Sequence, residues 1–217
     1  MSDKTALVEL HYLPNINYFR LLRSFDHVMI EANESFQKQT FRNRCQILSA
    51  QGILDLSIPV KKSNSSVPIR SVEIENGQKW PKIHWRAIQS AYGKAPFWEY
   101  YADYFFDLME GKNEGLFEFN YSLLTLCLKL LKLDLSLSYS KTYLSDPQEP
   151  IRDFREKIHP KKSNLLADNL EVYMYQQVFG SDFVENLSII DLIFNQGPQS
   201  LDFIRPFDVE KINFETE

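Results

Sequence analysis

Glycine is scarce in this sequence. Seven occur among 217 residues, at positions 52, 77, 93, 111, 115, 180 and 197, and no two are two apart. A G-x-G-x-x-G dinucleotide loop and a G-x-x-x-x-G-K-[ST] phosphate loop depend on glycines at fixed spacing, because backbone must approach the phosphates closely; both are absent. Cysteine is scarcer still. Cys45 and Cys127 cannot supply a disulfide framework or a cysteine-based zinc site, and they read as two buried, reduced thiols. The four histidines, at 11, 27, 84 and 159, fall outside the H-E-x-x-H spacing, so no bound metal and no cofactor are expected. A basic excess is missing too. Lys and Arg number 24 against 29 Asp and Glu, a net charge of -5, which argues against a dedicated nucleic-acid binder. The most apolar window, residues 116–131, carries Glu118, Asn120 and Lys129 and falls short of the roughly 18 uncharged residues a spanning helix needs. The start of the chain runs into an apolar stretch broken by Glu9 and His11, shorter than the about 7–15 residues of a secretory signal. These absences predict a cytoplasmic protein without a membrane span.

Aromatic residues are abundant: 16 Phe, 11 Tyr and 3 Trp, enough for a substantial core. Ala6 to Leu10 reads as a strand, Ile16, Phe19 and Leu22 as one face of a helix opened by Pro14, and Val28-Met29-Ile30, closed by Glu31, as a second strand. Strand, helix and strand within about 25 residues predict a parallel pair, residues 6–12 with 27–31. Further strands are expected at 41–48, at Leu54, Leu56 and Ile58, at 70–74, and at Leu133, Leu135, Leu137 and Tyr139, where apolar and polar residues alternate. Residues 82–92, 97–110 and 115–132 read as helices, and 140–170 as a long polar surface connection. Ser188 and Asp191 have capping-box spacing before a last helix that Gly197-Pro198 stops. The expected architecture is α/β: a mixed sheet of about five to six strands, an N-terminal βαβ unit and a helical C-terminal half. Residues 1–205 form one domain and 206–217 a loosely attached tail.

Several polar residues are placed for chemistry. In the cluster from Lys38 to Arg44, a strand would put Arg42 and Arg44 on one face and Asn43 on the other. Two guanidiniums side by side grip a phosphate or carboxylate; a solvated edge strand carries the same charges without function. His84 is a candidate general base with Tyr92 two turns along the same helix face, although a histidine beside Trp85 also fits a packed core. His159, before Pro160-Lys161-Lys162, is a loop candidate near Asp153 and Arg155. The aromatics Trp98, Tyr100, Tyr101, Tyr104, Phe105 and Phe106 read as packing more than as a stacking surface.

Taken in order, Tyr12-Leu13-Pro14, Phe36-Gln37-Lys38, Arg42-Asn43-Arg44, Leu56 to Lys62, Trp80…His84-Trp85…Tyr92-Gly93-Lys94-Ala95-Pro96-Phe97, Ile158-His159-Pro160, Tyr175-Gln176-Gln177 and Asn186 to Pro198 resemble the WbqC-like family of bacteria across nearly the whole length. The chain resembles the compact form found in Bacteroidetes-type bacteria. The resemblance implies an enzyme of surface-polysaccharide (O-antigen type) precursor biosynthesis, a transferase of acyl or aminoacyl groups to an activated amino sugar. The alternative is a non-catalytic accessory protein that binds a glycan or another protein. Carried over by position, the matching polar residues are Lys38, Asn43, Arg44, His84, Tyr92, Asn186, Asp191 and Asn195. His84 and Tyr92 are then the catalytic candidates. Lys38, Arg42, Asn43, Arg44 and His159 would meet a nucleotide-sugar or another anionic small molecule. Two departures stand out: Val8-Glu9-Leu10-His11 occupies the place of a His-Gln-Pro-Asn stretch, and no glycine follows Tyr143-Leu144-Ser145-Asp146 before Gly180. The second argues against a glycine-cradled phosphate. Convergence of His84, Arg44 and Lys38 on one concave pocket would favour the enzyme; a buried His84 with outward arginines would favour the accessory protein.

Overall fold

The computed structural model describes residues 4–62, 67–160 and 173–209. Its centre is a four-stranded, all-parallel sheet in the order β5-β2-β1-β6, made of β1 (Thr5–Val8), β2 (His27–Ile30), β5 (Ser136–Tyr139) and β6 (Ile151–Asp153). The N-terminal βαβ unit forms as expected: β1 and β2 pair in parallel from Thr5 opposite His27 to Val8 opposite Ile30. The apolar run of β1 is buried on both faces, as a parallel strand covered on either side must be. Helix α1 (Ile16–Arg23) connects the two strands and is capped by Asn15, whose side chain accepts the Tyr18 N–H at 3.0 Å. Pro14 therefore lies just outside the helix, and the cap is an asparagine.

The α/β class and the strand count hold, but the six strands among the described residues divide between two sheets. β3 (Arg44–Ser49) and β4 (Gly52–Ser57) form a separate antiparallel hairpin, closed between Ser49 and Gly52. The strand expected at 70–74 is instead a 3-10 turn, Ile69–Ser71, behind Pro68. The Ile69 and Arg70 N–H groups bond to the carbonyls of Glu34 and Ala32, so this segment braces the loop after β2. The polar connection at 140–170 contains β6, which pairs with β1; three residues including Arg152 and Asp153 carry too little apolar pattern to announce a strand.

Three helices follow the hairpin: α2 (Trp80–Tyr92), α3 (Trp98–Glu110) and α4 (Leu116–Leu131). Helix α5 (Ile189–Gln196) packs against α1, α2, α3, α4 and β3. Every residue from Ile189 to Asn195 is buried, Asp191 and Asn195 included, as in a helix covered on all sides inside the core. The capping box expected there is absent. The Ser188 hydroxyl donates to the Leu13 carbonyl at 2.8 Å, and the Asp191 carboxylate turns to Tyr175 and Gln177. A last turn, α6 (Ser200–Phe203), precedes Phe207, which is buried with the Arg20 guanidinium over its ring. No helix among the described residues is long and apolar enough to cross a membrane.

Candidate functional site

All four parallel strands point the same way, and each delivers a polar residue at its C-terminal end. Glu9 follows β1, Glu31 follows β2, Ser140 follows β5, and β6 ends on Asp153. The chain leaves β1 for β2 on one side, while β6 lies on the other. A crevice outside the carboxyl ends of strands, at such a switch point, is where open α/β sheets bind ligands.

The crevice is built from ion pairs. Arg42 forks onto Glu34, Nε to Oε1 at 2.7 Å and Nη2 to Oε2 at 2.6 Å. Arg155 grips Asp153, with Nη2 to Oδ2 at 2.5 Å, and reaches Glu31 at 3.4 Å. Glu31, completely buried, also accepts the Ser140 hydroxyl and the N–H groups of Asn33 at 2.9 Å and Leu144 at 3.0 Å. It thereby ties the loop after β2 to the loop after β5. Glu9 accepts His11 Nε2 at 3.1 Å and the Glu156 N–H at 3.1 Å. A cavity of about 610 Å³ opens over these groups, lined by Asn33, Glu34, Gln37, Asp153, Arg155 and Glu156 among others. A Gln37–Glu156 hydrogen bond strapped across two of these side chains narrows it.

Burial sets the protonation states. Desolvation pushes Glu34 up to about 6; Arg42 opposes this, and the neighbouring Glu9 and Glu31 charges add to it. Burial also works against the charge on Glu9, but the His11 hydrogen bond and the Arg42 charge more than offset it and hold this carboxyl low. Desolvation lowers His11, which is neutral, with Nδ1 bonded to nothing among the described residues. Two buried carboxyls pushed in opposite directions are the usual arrangement for acid–base chemistry near neutral pH. No group of three or more His, Cys, Asp and Glu among the described residues is placed to hold a metal ion.

The residues singled out from sequence lie largely elsewhere. Arg42 turns inward onto Glu34 before β3 begins, whereas Arg44 lies on the hairpin with Nε on the Ser57 hydroxyl at 3.1 Å. The two therefore do not share a strand face. Asn43 donates to the Ile58 carbonyl at 2.8 Å and Lys38 is exposed. His84 is buried, packed edge-on against Trp80, with Nδ1 2.9 Å from the Tyr12 hydroxyl. Burial lowers it to about 4, against a bond to the Ser57 backbone. His84 and Arg44 thus both meet Ser57, one at its backbone and one at its hydroxyl. Tyr92 is completely buried beside Phe194 and Asp191, and burial raises it. His159 is half-buried; Lys161 and Lys162 lie outside the described residues. None of Lys38, Arg42, Asn43, Arg44, His84, Tyr92 and His159 lines the cavity, which Arg42 reaches through Glu34. The convergence of His84, Arg44 and Lys38 that would favour the enzyme is not found, and a buried His84 with Arg44 out on the hairpin is the arrangement expected of the accessory protein. What the sequence reading missed is the acidic set at the strand ends. Its signal was present, since Glu9 and Glu31 close the two apolar strands of a βαβ unit, but a lone carboxylate after a strand also serves simply to end it.

The family model for the WbqC-like protein family matches residues 10–159 and 155–203. The chain belongs to that family. The chain is also similar to uncharacterized protein Rv1507c of Mycobacterium tuberculosis (strain ATCC 25618 / H37Rv), at 27% identity over 227 residues, covering 93% of this chain and 97% of that protein. No solved structure matches.

Proposed function

We propose that this WbqC-like protein is a transferase that acylates the amine of an activated amino sugar, and that the cavity at the strand ends is its active site. The observation that carries this reading is Glu34, a cavity-wall carboxyl raised to about 6 beside the ionised Glu9. An amino sugar arrives as an ammonium, which a carboxylate-lined cavity attracts and a phosphate-binding one repels. Glu34 uses one lone pair of each oxygen for Arg42 and retains another on each. That leaves it able to take the ammonium proton. Glu34 passes that first proton to solvent. The freed amine then bonds to the acyl carbon of a donor, the donor's leaving group departs with the electron pair of the broken bond, and Glu34 takes the second proton from the nitrogen and delivers it to the leaving group. Arg42 holds the carboxylate in place, Glu31 fixes the loops that form the walls, and Lys38 and Arg44 stand outside the cavity. In this reading His84 and Tyr92 support the fold around it.

The experiment compares two ligands that differ in one group, UDP-glucosamine and UDP-glucose, by thermal shift on the wild-type protein and on Glu34→Gln. A ligand that binds only the folded state raises the melting temperature. The amino sugar is expected to give the larger shift, and Glu34→Gln to erase the difference while leaving the UDP-glucose shift intact. Equal shifts from both ligands on the wild-type protein would remove the reading.

A further inference from the structure

A second cavity, of about 370 Å³, has a different character. Phe117 and Tyr121, one turn apart on α4, stack with centroids 6.2 Å apart and planes at 20°. Tyr139 stands edge-on to both, at 6.0 Å and 80° from Phe117 and at 6.2 Å and 88° from Tyr121. The three rings form a corner of two perpendicular walls, Phe117 and Tyr121 along one and Tyr139 the other. Tyr139 is 54% exposed although it ends a strand of the central sheet. An exposed tyrosine there lies at the same carboxyl edge as the acidic cavity. The polar residues of this second cavity are Arg70, Glu118 and Ser122. No carboxylate among the described residues pairs with Arg70; its Nη1 meets only the Asn33 Oδ1, at 3.3 Å. Asn33 lines the acidic cavity and donates to the Ser140 carbonyl at 3.0 Å. A single side chain thus joins the two cavities.

We propose that this aromatic corner binds a nucleotide, its base stacked on Tyr139 and its phosphate at Arg70. A planar base offers a face to one ring and an edge to a perpendicular one, which suits a corner of crossed rings; a saturated sugar would need polar partners along its whole rim, and here they are few. A guanidinium with no carboxylate partner is an anion receptor. Glu118 and Ser122 supply acceptors for ribose hydroxyls, a role acidic residues play at other strand-edge nucleotide sites. Arg70 lies towards Asn33, so the phosphate end faces the acidic cavity. Only this last point rests on the amine-transfer reading: a sugar linked through the phosphates would reach Glu34.

The test uses probes that carry no amino sugar: UMP, AMP, uridine, adenosine and orthophosphate, followed by saturation-transfer NMR and calorimetric titration. The monophosphates are expected to bind with saturation strongest at the base protons, and the nucleosides to bind more weakly. Tyr139→Ala should weaken both classes at least tenfold while Tyr139→Phe retains binding. Arg70→Ala should reduce the nucleotides to nucleoside affinity and leave the nucleosides unchanged. Both residues are exposed, so matched melting temperatures verify that the variants fold. Absence of saturation transfer, nucleotide affinity unchanged in Tyr139→Ala, or binding of orthophosphate alone as tight as that of UMP would each overturn the proposal. None of these outcomes depends on Glu34, so failure here and failure of the amine comparison are separable.

Discussion

His84 shows how much of a residue's chemistry comes from its surroundings. Its ring has the right identity for a general base, yet burial against Trp80 lowers it to about 4. At neutral pH it is uncharged and accepts the Tyr12 hydroxyl. This makes an acid-stability prediction. Between pH 6.5 and 4 the unfolded chain binds a proton at this position and the folded one does not, so stability falls as the pH drops, by up to roughly 3 kcal/mol. Glu34, raised from 4.5 to about 6, contributes with the opposite sign between those two values. Because His84→Gln retains Glu34, the difference between wild type and variant isolates the histidine. Urea unfolding at pH 7, 5.5 and 4.5 should show the wild type losing stability towards acid faster than His84→Gln. Parallel curves would contradict the buried, neutral assignment. Arg42 is the converse case. The sequence marked it as a cation near its neighbours Asn43 and Arg44, but only the fold reveals the partner: Glu34, eight residues earlier, takes both ends of the fork. A paired arginine and a free one look alike in a sequence.

At the scale of elements, the legible features were those whose burial is repetitive. The apolar runs of β1 and β2 and the helical spacing between them announced the parallel unit, β1 being buried along both faces and β2 at Val28 and Ile30. β6 was hidden, since a three-residue strand held by pairing with β1 needs no apolar pattern of its own. The 3-10 turn at Ile69–Ser71 was hidden because its hydrogen bonds go to Glu34 and Ala32, residues that no local pattern connects to it. Around α5 the boundaries read correctly while the chemistry did not. Ser188 starts the helix, but its hydroxyl is spent on Leu13, and Asp191 is a buried carboxyl bonded by Tyr175 at 2.6 Å and Gln177 at 3.0 Å. Gly197 ends the helix for a reason its neighbours enforce. Its φ is +54°, and a Cβ there would meet the Phe97 ring at 2.3 Å. Gly197→Ala should therefore destabilise the protein by about 1–3 kcal/mol through backbone strain and the displaced ring, read as a lower denaturation midpoint at unchanged m-value. A variant as stable as the wild type would show that the α5 terminus can rearrange.

Over the whole molecule, a parallel sheet gathers residues that the sequence keeps far apart. Glu9, Glu31, Ser140 and Asp153 span most of the chain, yet they meet because four strands end along one edge. This convergence was not legible, since it follows from strand order, and strand order depends on the short β6. The aromatic corner shares that edge through Tyr139. Under the two proposals, the cavities would divide the work of holding one ligand, an amine over carboxylates and a base over aromatic rings. The most direct measurement is a crystal structure of the protein soaked with UDP-glucosamine. The amine nitrogen is expected within hydrogen-bond distance of the Glu34 carboxylate, with the ligand lying across the C-terminal ends of the four strands. Ligand density on the β3–β4 hairpin beside Arg44, with the strand-end cavity empty, would contradict it.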